Sequence, residues 1–476
     1  MQMKEESTMT NFMEGLKNNN LTQLSIELGC GAADITPPEG TFLMGTIHCK
    51  RSAVLFKDPL YAKAMIIQSN QRKVLIVSLD VTFIIEKYIH IIRNWAVERF
   101  GFDWESVMVH ATQNHGAPAI GYTKFSDTFP FPEEFEWVRG QQASYHNYAM
   151  ERIFEAIEQA ASDIKLVQYG VASGIEGRAS FNRRMVMRDG SIGMPRGILA
   201  NILYLEGPID AEVGVMCFKN AQSEVVAAIL NYTCHPVHEL GAVGIVTADW
   251  PGKWSLQLAD KLGFNCFSLV LNGACGNINP WGNYDPDYIE DSARMAKLLT
   301  TETEKVISRM DFTNKVTLDW AFKVLKIPIR EPDPDKLAAA EALLVKHPAP
   351  FWVDTVNEII DHDWVLAAQV VDVNNQRKQQ AYYEYELQVL RIGNAVYVGL
   401  PGELFVEGGL KIKQHSKADF TYIVHATGNA GYIPFKEAFS RGGHELNYSN
   451  WSKLVPDAFE IIVEEAITLI NKMLNT

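Results

Sequence analysis

Apolar and polar positions along this chain fall into blocks whose period changes from one block to the next. Residues 73–83, KVLIVSLDVTF, are a β-branched run of the kind that forms a largely buried strand. The following IIEKYIHIIRNWAVERFG places apolar residues three and four apart, which predicts a helix packed by one face. SVMVHAT at 106–112 returns to the strand pattern. Further strands are predicted at 165–174, 212–218, 224–233, 266–271, 316–328, 383–392, 395–399 and 419–426. Helices are predicted at about 139–162, 252–262, 286–309, 334–346, 353–370, 404–416 and 455–474. This rhythm gives an α/β class, with mixed β-sheets flanked by helices in a single large domain. Residues 331–380, from EPDPDK to NNQRKQQ, read as a helical insertion between strands. Residues 1–22 read as a polar, flexible leader ahead of a domain at 23–476. No internal repeat and no low-complexity linker is visible.

Composition narrows the function classes. The chain has 476 residues, a formal net charge of -14, and 47% hydrophobic against 21% charged residues, the balance of a soluble globular protein. No run of Lys and Arg exceeds two residues, so no basic stripe for nucleic acid is expected. No window approaches the roughly 18 uninterrupted apolar residues of a membrane span. The N-terminus lacks the apolar core of a secretion signal, which favours a cytoplasmic protein; a secreted chain whose signal had been removed would look the same. Six cysteines without a CxxC pair read as buried free thiols. Neither GxGxxG nor GxxxxGK[ST] occurs, so no nucleotide cofactor is expected. Composition leaves oligomeric state open.

Chemistry concentrates in five Gly- and Pro-marked corners that follow apolar strands, where a rigid scaffold can present polar side chains. They are ATQNHGAP (111–118), NYTCHPVHEL (231–240), LNGACGNINPWG (271–282), GLPGELFVEGG (399–409) and ATGNAGYIPFKEAFSRGGHE (426–445). Taken singly, each is also ordinary turn chemistry.

Their order is more specific. DITPP, LD, ATxxHxxP, NRR, HP, ADWPG, NGxxGNINP, LPGE and GYIPxxEAFxxGG, in that sequence, resemble the neutral, non-lysosomal ceramidase family in its short bacterial form. The resemblance runs from about Gly29 to the final helix. It implies a catalytic domain without the C-terminal β-sandwich of longer members. It also implies one zinc ion held by His235, Glu403 and Tyr432, with a fourth ligand position occupied here by Gln113 where the family carries histidine. A glutamine carbonyl is a weaker donor than imidazole. Gln113 could ligate weakly, His115 could take over, or the metal could be lost. His110 is a poorer substitute, because strand parity turns it away from positions 113 and 115.

The resemblance further implies His115 as the proton-transfer group, Arg183 as the cation that holds oxyanion charge, with neighbouring Arg184 as a competitor, and His444 at a position where the family carries a substrate-contacting tyrosine. Asp80, Asp249, Asn277 and Asn279 read as supports or turn formers. The implied function is a zinc-dependent amidohydrolase that cleaves an N-acyl linkage in a ceramide-like lipid or another small N-acyl compound. The alternative is a catalytically decayed, metal-poor relative that binds a ligand. Phe125, Phe129, Phe131, Phe135 and Trp137 are candidates for an apolar entrance, with core packing as the competing reading.

Overall fold

The computed structural model describes residues 25–475 except 141, 195–200, 241–242, 264–265, 283 and 285–286. The leader expected at 1–22 lies outside the described residues. Twelve longer strands build two sheets. In chain order they are β1 (Ile26–Asp34), β2 (Tyr61–Ser69), β3 (Arg72–Leu79), β4 (Val107–Ala111), β5 (Lys165–Ile175) and β6 (Glu212–Lys219), followed by β7 (Val225–Tyr232), β8 (Phe267–Asn272), β9 (Leu318–Pro328), β10 (Tyr382–Ile392), β11 (Ala395–Gly399) and β12 (Phe420–Val424). The first sheet has the order β8-β7-β6-β5-β1-β2-β3-β4 and the second β9-β10-β11-β12.

The connectivity repeats three times. Strands β1, β2 and β3 pair antiparallel, then β3 pairs parallel with β4 across helix α1 (Glu86–Phe100). Strands β5 to β8 do the same across α3 (Asp249–Leu262), and β9 to β12 across α7 (Val406–His415). Each unit is followed by a long helix: α2 (Ala143–Ser162), α4 (Ser292–Ser308) and α8 (Ala458–Leu474). The repetition absent from the sequence pattern is therefore present in the topology, and its trace is the pair HATQNHG (110–116) and HATGNAG (425–431).

Strand alternation assigns side chains to layers. Met65, Ile67, Ile76 and Met108 face a core shared with Tyr169, Phe218, Tyr397 and Val424 of the other units. Ala64, Ile66, Val77 and Val109 face the opposite side, packing with residues of α1 and α2. The C-terminal ends of β4, β8 and β12 meet at one junction. His110 Nδ1 contacts the His425 carbonyl at 2.7 Å, and its Nε2 accepts from the Asn272 backbone N–H at 3.1 Å. The His425 N–H in turn donates to the Asn272 carbonyl at 3.0 Å. His110 is thus a fully buried structural histidine, in keeping with its strand parity.

Residues 331–380 form α5 (Pro334–Lys346), a small hairpin pairing Trp352–Asp354 with Ile359–Ile360, and α6 (His362–Gln379). The helix expected over 353–370 therefore starts later. Asp354 accepts from the N–H groups of Val356 and Asn357, closing a turn. Asp361 caps α6 by accepting from Trp364 N. The five aromatic residues considered for an entrance belong to a core: Phe125 packs on Phe129 at 5.0 Å, Phe129 on Trp364 at 6.5 Å and Trp137 on Trp352 at 6.2 Å. All six cysteines are free and five are buried. Among the described residues no helix is long and apolar enough to cross a membrane.

Candidate active site

The C-terminal ends of parallel strands are where α/β proteins gather ligand-binding loops. Here the segments after β4, β5, β7, β11 and β12 meet over one cavity of about 380 Å³. Gln113 and His115 come from the loop after β4, Arg183 from the segment after β5, Glu403 from the turn after β11, and Tyr432 and His444 from the segment after β12. His235, after β7, stands behind the wall, its Nε2 2.9 Å from Glu403 Oε2. All seven sequence-derived site residues are thus brought together.

Each is held by identifiable contacts. His235 Nδ1 lies 3.0 Å from the Ile278 carbonyl, so the proton belongs on Nδ1 and Nε2 faces the carboxylate. Between that lone pair and Glu403, only a shared proton or a cation gives a favourable contact. His115 is held through its backbone N–H, which donates to the Pro236 carbonyl, but both ring nitrogens are buried without a partner. Its ring stands 5.9 Å from that of His235. Burial, then the neighbouring His235, holds the His115 pKa well below the ordinary imidazole range, so the ring is neutral. Gly45 lies against this ring at φ +118°, and a Cβ there would fall 2.6 Å from His115 Nδ1.

Gln113 adopts φ 64°, a left-handed conformation that is uncommon outside glycine. Its Oε1 is 3.5 Å from the Cys275 thiol. Tyr432 pairs as a short parallel bridge with Glu403. Burial raises the Tyr432 hydroxyl pKa, and the Arg183 guanidinium, 5.3 Å from its ring centroid, acts in the opposite sense. Among the described residues no three His, Cys, Asp or Glu side chains converge as a metal-binding group.

Arg183 and Arg184 take different roles. Arg183 lines the cavity, donating from Nε to Glu445 at 3.0 Å, from Nη1 to Asn279 Oδ1 at 3.1 Å and from Nη2 to the Gly276 carbonyl at 2.8 Å. Burial alone would depress its pKa; Tyr432 and Glu445 outweigh that and keep it a cation. Arg184 is fully buried between Glu206 and Glu445 and does not reach the cavity. His444 Nε2 lies 3.4 Å from Arg183 Nη2, a group that can only donate, so the neutral His444 ring carries its proton on Nδ1. Burial lowers the His444 pKa to about 4.

Searches with family models find no match to this chain. The neutral ceramidase of Pseudomonas aeruginosa is 20% identical over 511 aligned residues, covering 94% of this chain and 73% of that protein. The solved structure of neutral ceramidase from Pseudomonas aeruginosa superposes with a TM-score of 0.72 at 17% identity, over 95% of this chain and 75% of the other. A solved ceramidase complexed with C2 gives 0.68 at 17% identity, over 95% and 76%. The chain has the neutral ceramidase fold. The family resemblance of the ordered motifs is borne out over nearly the whole chain.

Within this neutral ceramidase fold, three residues in and behind the cavity were not singled out from sequence. Glu445 bridges Arg183 and Arg184 at 3.0 Å each. Lys124 and His48 line the cavity on their own segments. Only Glu445 carried a signal, its position beside His444 in GGHE. Burial would raise the Glu445 pKa, but Arg183, His444 and Arg184 overcome it and bring it down to about 2, below the ordinary 4.5. Its contribution to stability is therefore full above about pH 4.5 and is lost as pH falls toward about 2. Glu445→Gln should lower unfolding stability at neutral pH by about 3–5 kcal/mol, because two buried guanidinium groups lose a counter-charge. Urea unfolding at successively lower pH should show the gap between the two proteins closing across that acid window.

Proposed function

We propose that this chain is an amide hydrolase that cleaves an N-acyl linkage with the help of a bound zinc ion. The observation that carries the reading is the convergence of His115, Arg183, Glu403, Tyr432 and His444 on one cavity, with His235 directly behind Glu403. A likeness to neutral ceramidase across 94% of the chain supports the substrate class.

The donor set fits such an ion. His235 presents Nε2 with its other nitrogen anchored on a backbone carbonyl, the usual arrangement for a metal-ligating histidine. The Nε2–carboxylate contact calls for a positive charge, and the two orphaned His115 nitrogens are polar atoms left for a ligand or substrate. His235, Glu403 and Tyr432 would hold the ion, with Gln113 Oε1 or His115 as the fourth donor. Bound there, zinc supplies an acidified water and a polarised amide carbonyl.

The chain's own groups do the rest. His115, neutral and unpartnered, accepts the proton of the attacking water and returns it to the leaving nitrogen. Arg183, held by Glu445, Asn279 and the Gly276 carbonyl, is a fixed cation at the cavity wall that stabilises developing oxyanion charge. His444 accepts from Arg183 through Nε2, so it orients the guanidinium; the donor role implied by the family tyrosine would require the ring to turn.

The reading as a metal-poor binding protein is favoured by one observation: the Gln113 amide oxygen is taken by the Cys275 thiol. Metal analysis of protein purified without added metal or chelator separates the two, combined with an assay of amine release from N-acyl amides. Near-stoichiometric zinc that disappears in His235→Ala, together with turnover, supports the hydrolase. A metal-free, inactive protein that gains zinc as Gln113→His supports the binder.

A further inference from the structure

The cavity extends from His115 and Glu403 to a second set of polar residues at Lys124, His48 and His362. At the first end each ionic group has a polar partner: Glu403 contacts His235, and Arg183 is paired with Glu445. Lys124 has none. It is only 8% exposed, and among the described residues no hydrogen bond or ion pair reaches its ammonium group. The charged neighbour that acts on it most is Arg51, also buried, which donates from Nη1 and Nη2 to the carbonyls of Met44, His115 and Glu239 while its Nε has no partner. His48, whose ring packs on that of His362 at 4.9 Å, adds a buried Nδ1 without a partner.

An ammonium buried without a counter-charge is expensive, and proteins keep one where something else supplies the anion. Burial, followed by Arg51, holds the Lys124 pKa down to about 7, so an anion at this end would also restore its charge. Lys124, His48 and His115 line the same cavity, so such an anion would share that cavity with the reacting amide.

We propose that the substrate carries a carboxylate beside its N-acyl linkage, so that this site takes N-acyl amino acids, and that Lys124 is the residue that reads the carboxylate. The inference rests on the amide-hydrolase reading for the reacting end of the cavity. A single point-charge ammonium suits a monoanion; a phosphate dianion is more often gripped by Arg forks or several backbone N–H groups. Ile47, Phe83, Leu240, Trp281 and Leu366 line the remaining wall and suit an acyl chain.

N-octanoylglycine and the uncharged N-octanoylglycinamide test this, because they differ only in the carboxylate. Calorimetric titration of the wild-type protein should give at least about tenfold tighter binding of the acid, and Lys124→Met should bring the ratio to about one while leaving the amide's affinity alone. Equal or tighter binding of the amide by the wild-type protein, or no detectable binding of the acid, overturns the inference even where the variant fails to fold. Amine release is scored separately. An acid that binds through Lys124 and is not cleaved keeps the carboxylate subsite and removes the hydrolase reading. Cleavage of the uncharged amide without any Lys124 effect does the reverse.

Discussion

Glu403→Gln should strip the protein of zinc and abolish amide hydrolysis while leaving it folded. The side chain is 3% exposed and its Oε2 lies 2.9 Å from His235 Nε2, a nitrogen whose proton is held on the far side of the ring by Ile278. A carboxylate there can share a cation with His235; a neutral amide of the same shape is a much weaker donor. Its NH2 group can instead donate to Nε2, so the buried pair stays satisfied and the thermal midpoint should move by only a few degrees, roughly what a change near 1 kcal/mol produces. Outer-shell partners of a metal alone cost about 10–100-fold in affinity or activity, so loss of a ligand should exceed about 100-fold in both. Metal analysis, turnover and a melting curve on the same preparation check all three statements. Retention of zinc by this variant would remove Glu403 from the ligand set.

His115→Ala should lower turnover by about 10²–10⁴, the usual range for a general acid–base group, with zinc content unchanged. Buried polar atoms are nearly always hydrogen-bonded, and a neutral imidazole with both nitrogens orphaned is an exception that calls for an explanation. On the proposed reading, substrate supplies the missing partner. Because the side chain makes no hydrogen bond, its removal should cost little stability, and loss of turnover without loss of stability marks a functional group. The metal readout separates two roles. If His115 has taken over the ligand position vacated by the family histidine at 113, His115→Ala loses zinc as well as turnover.

Much of this architecture could be read from residue patterns, and the exceptions have physical causes. Long periodic segments were legible: α8, predicted at 455–474, runs Ala458–Leu474, and β10, predicted at 383–392, runs Tyr382–Ile392. The first strand, IELGCGAAD, was not, because glycine and alanine give weak β signals and the strand is specified by neighbours on both sides. The hairpin at Trp352–Ile360 was hidden in an apolar pattern that suits a helix equally well, and only the Asp354 turn decides between them. The seven site residues were named through the family resemblance, and their convergence follows from the ends of β4, β8 and β12 meeting at one junction. Lys124 had no such signal. In GYTKFSD it looks like any surface lysine, although the folded chain leaves it only 8% exposed.

The threefold connectivity also divides labour. The first pass through the fold contributes Gln113 and His115, the second Arg183 and His235, the third Glu403, Tyr432 and His444. No pass holds the proposed site alone: the proposed proton acceptor, oxyanion cation and carboxylate sit on different ones. His110, Asn272 and His425 act as a keystone, each bonded to a neighbour's strand end, so disturbing one loosens the junction from which the others hang. Descent from a repeated segment would then mean that chemistry arose at the seam between copies, where each copy was free to keep a different fragment of it.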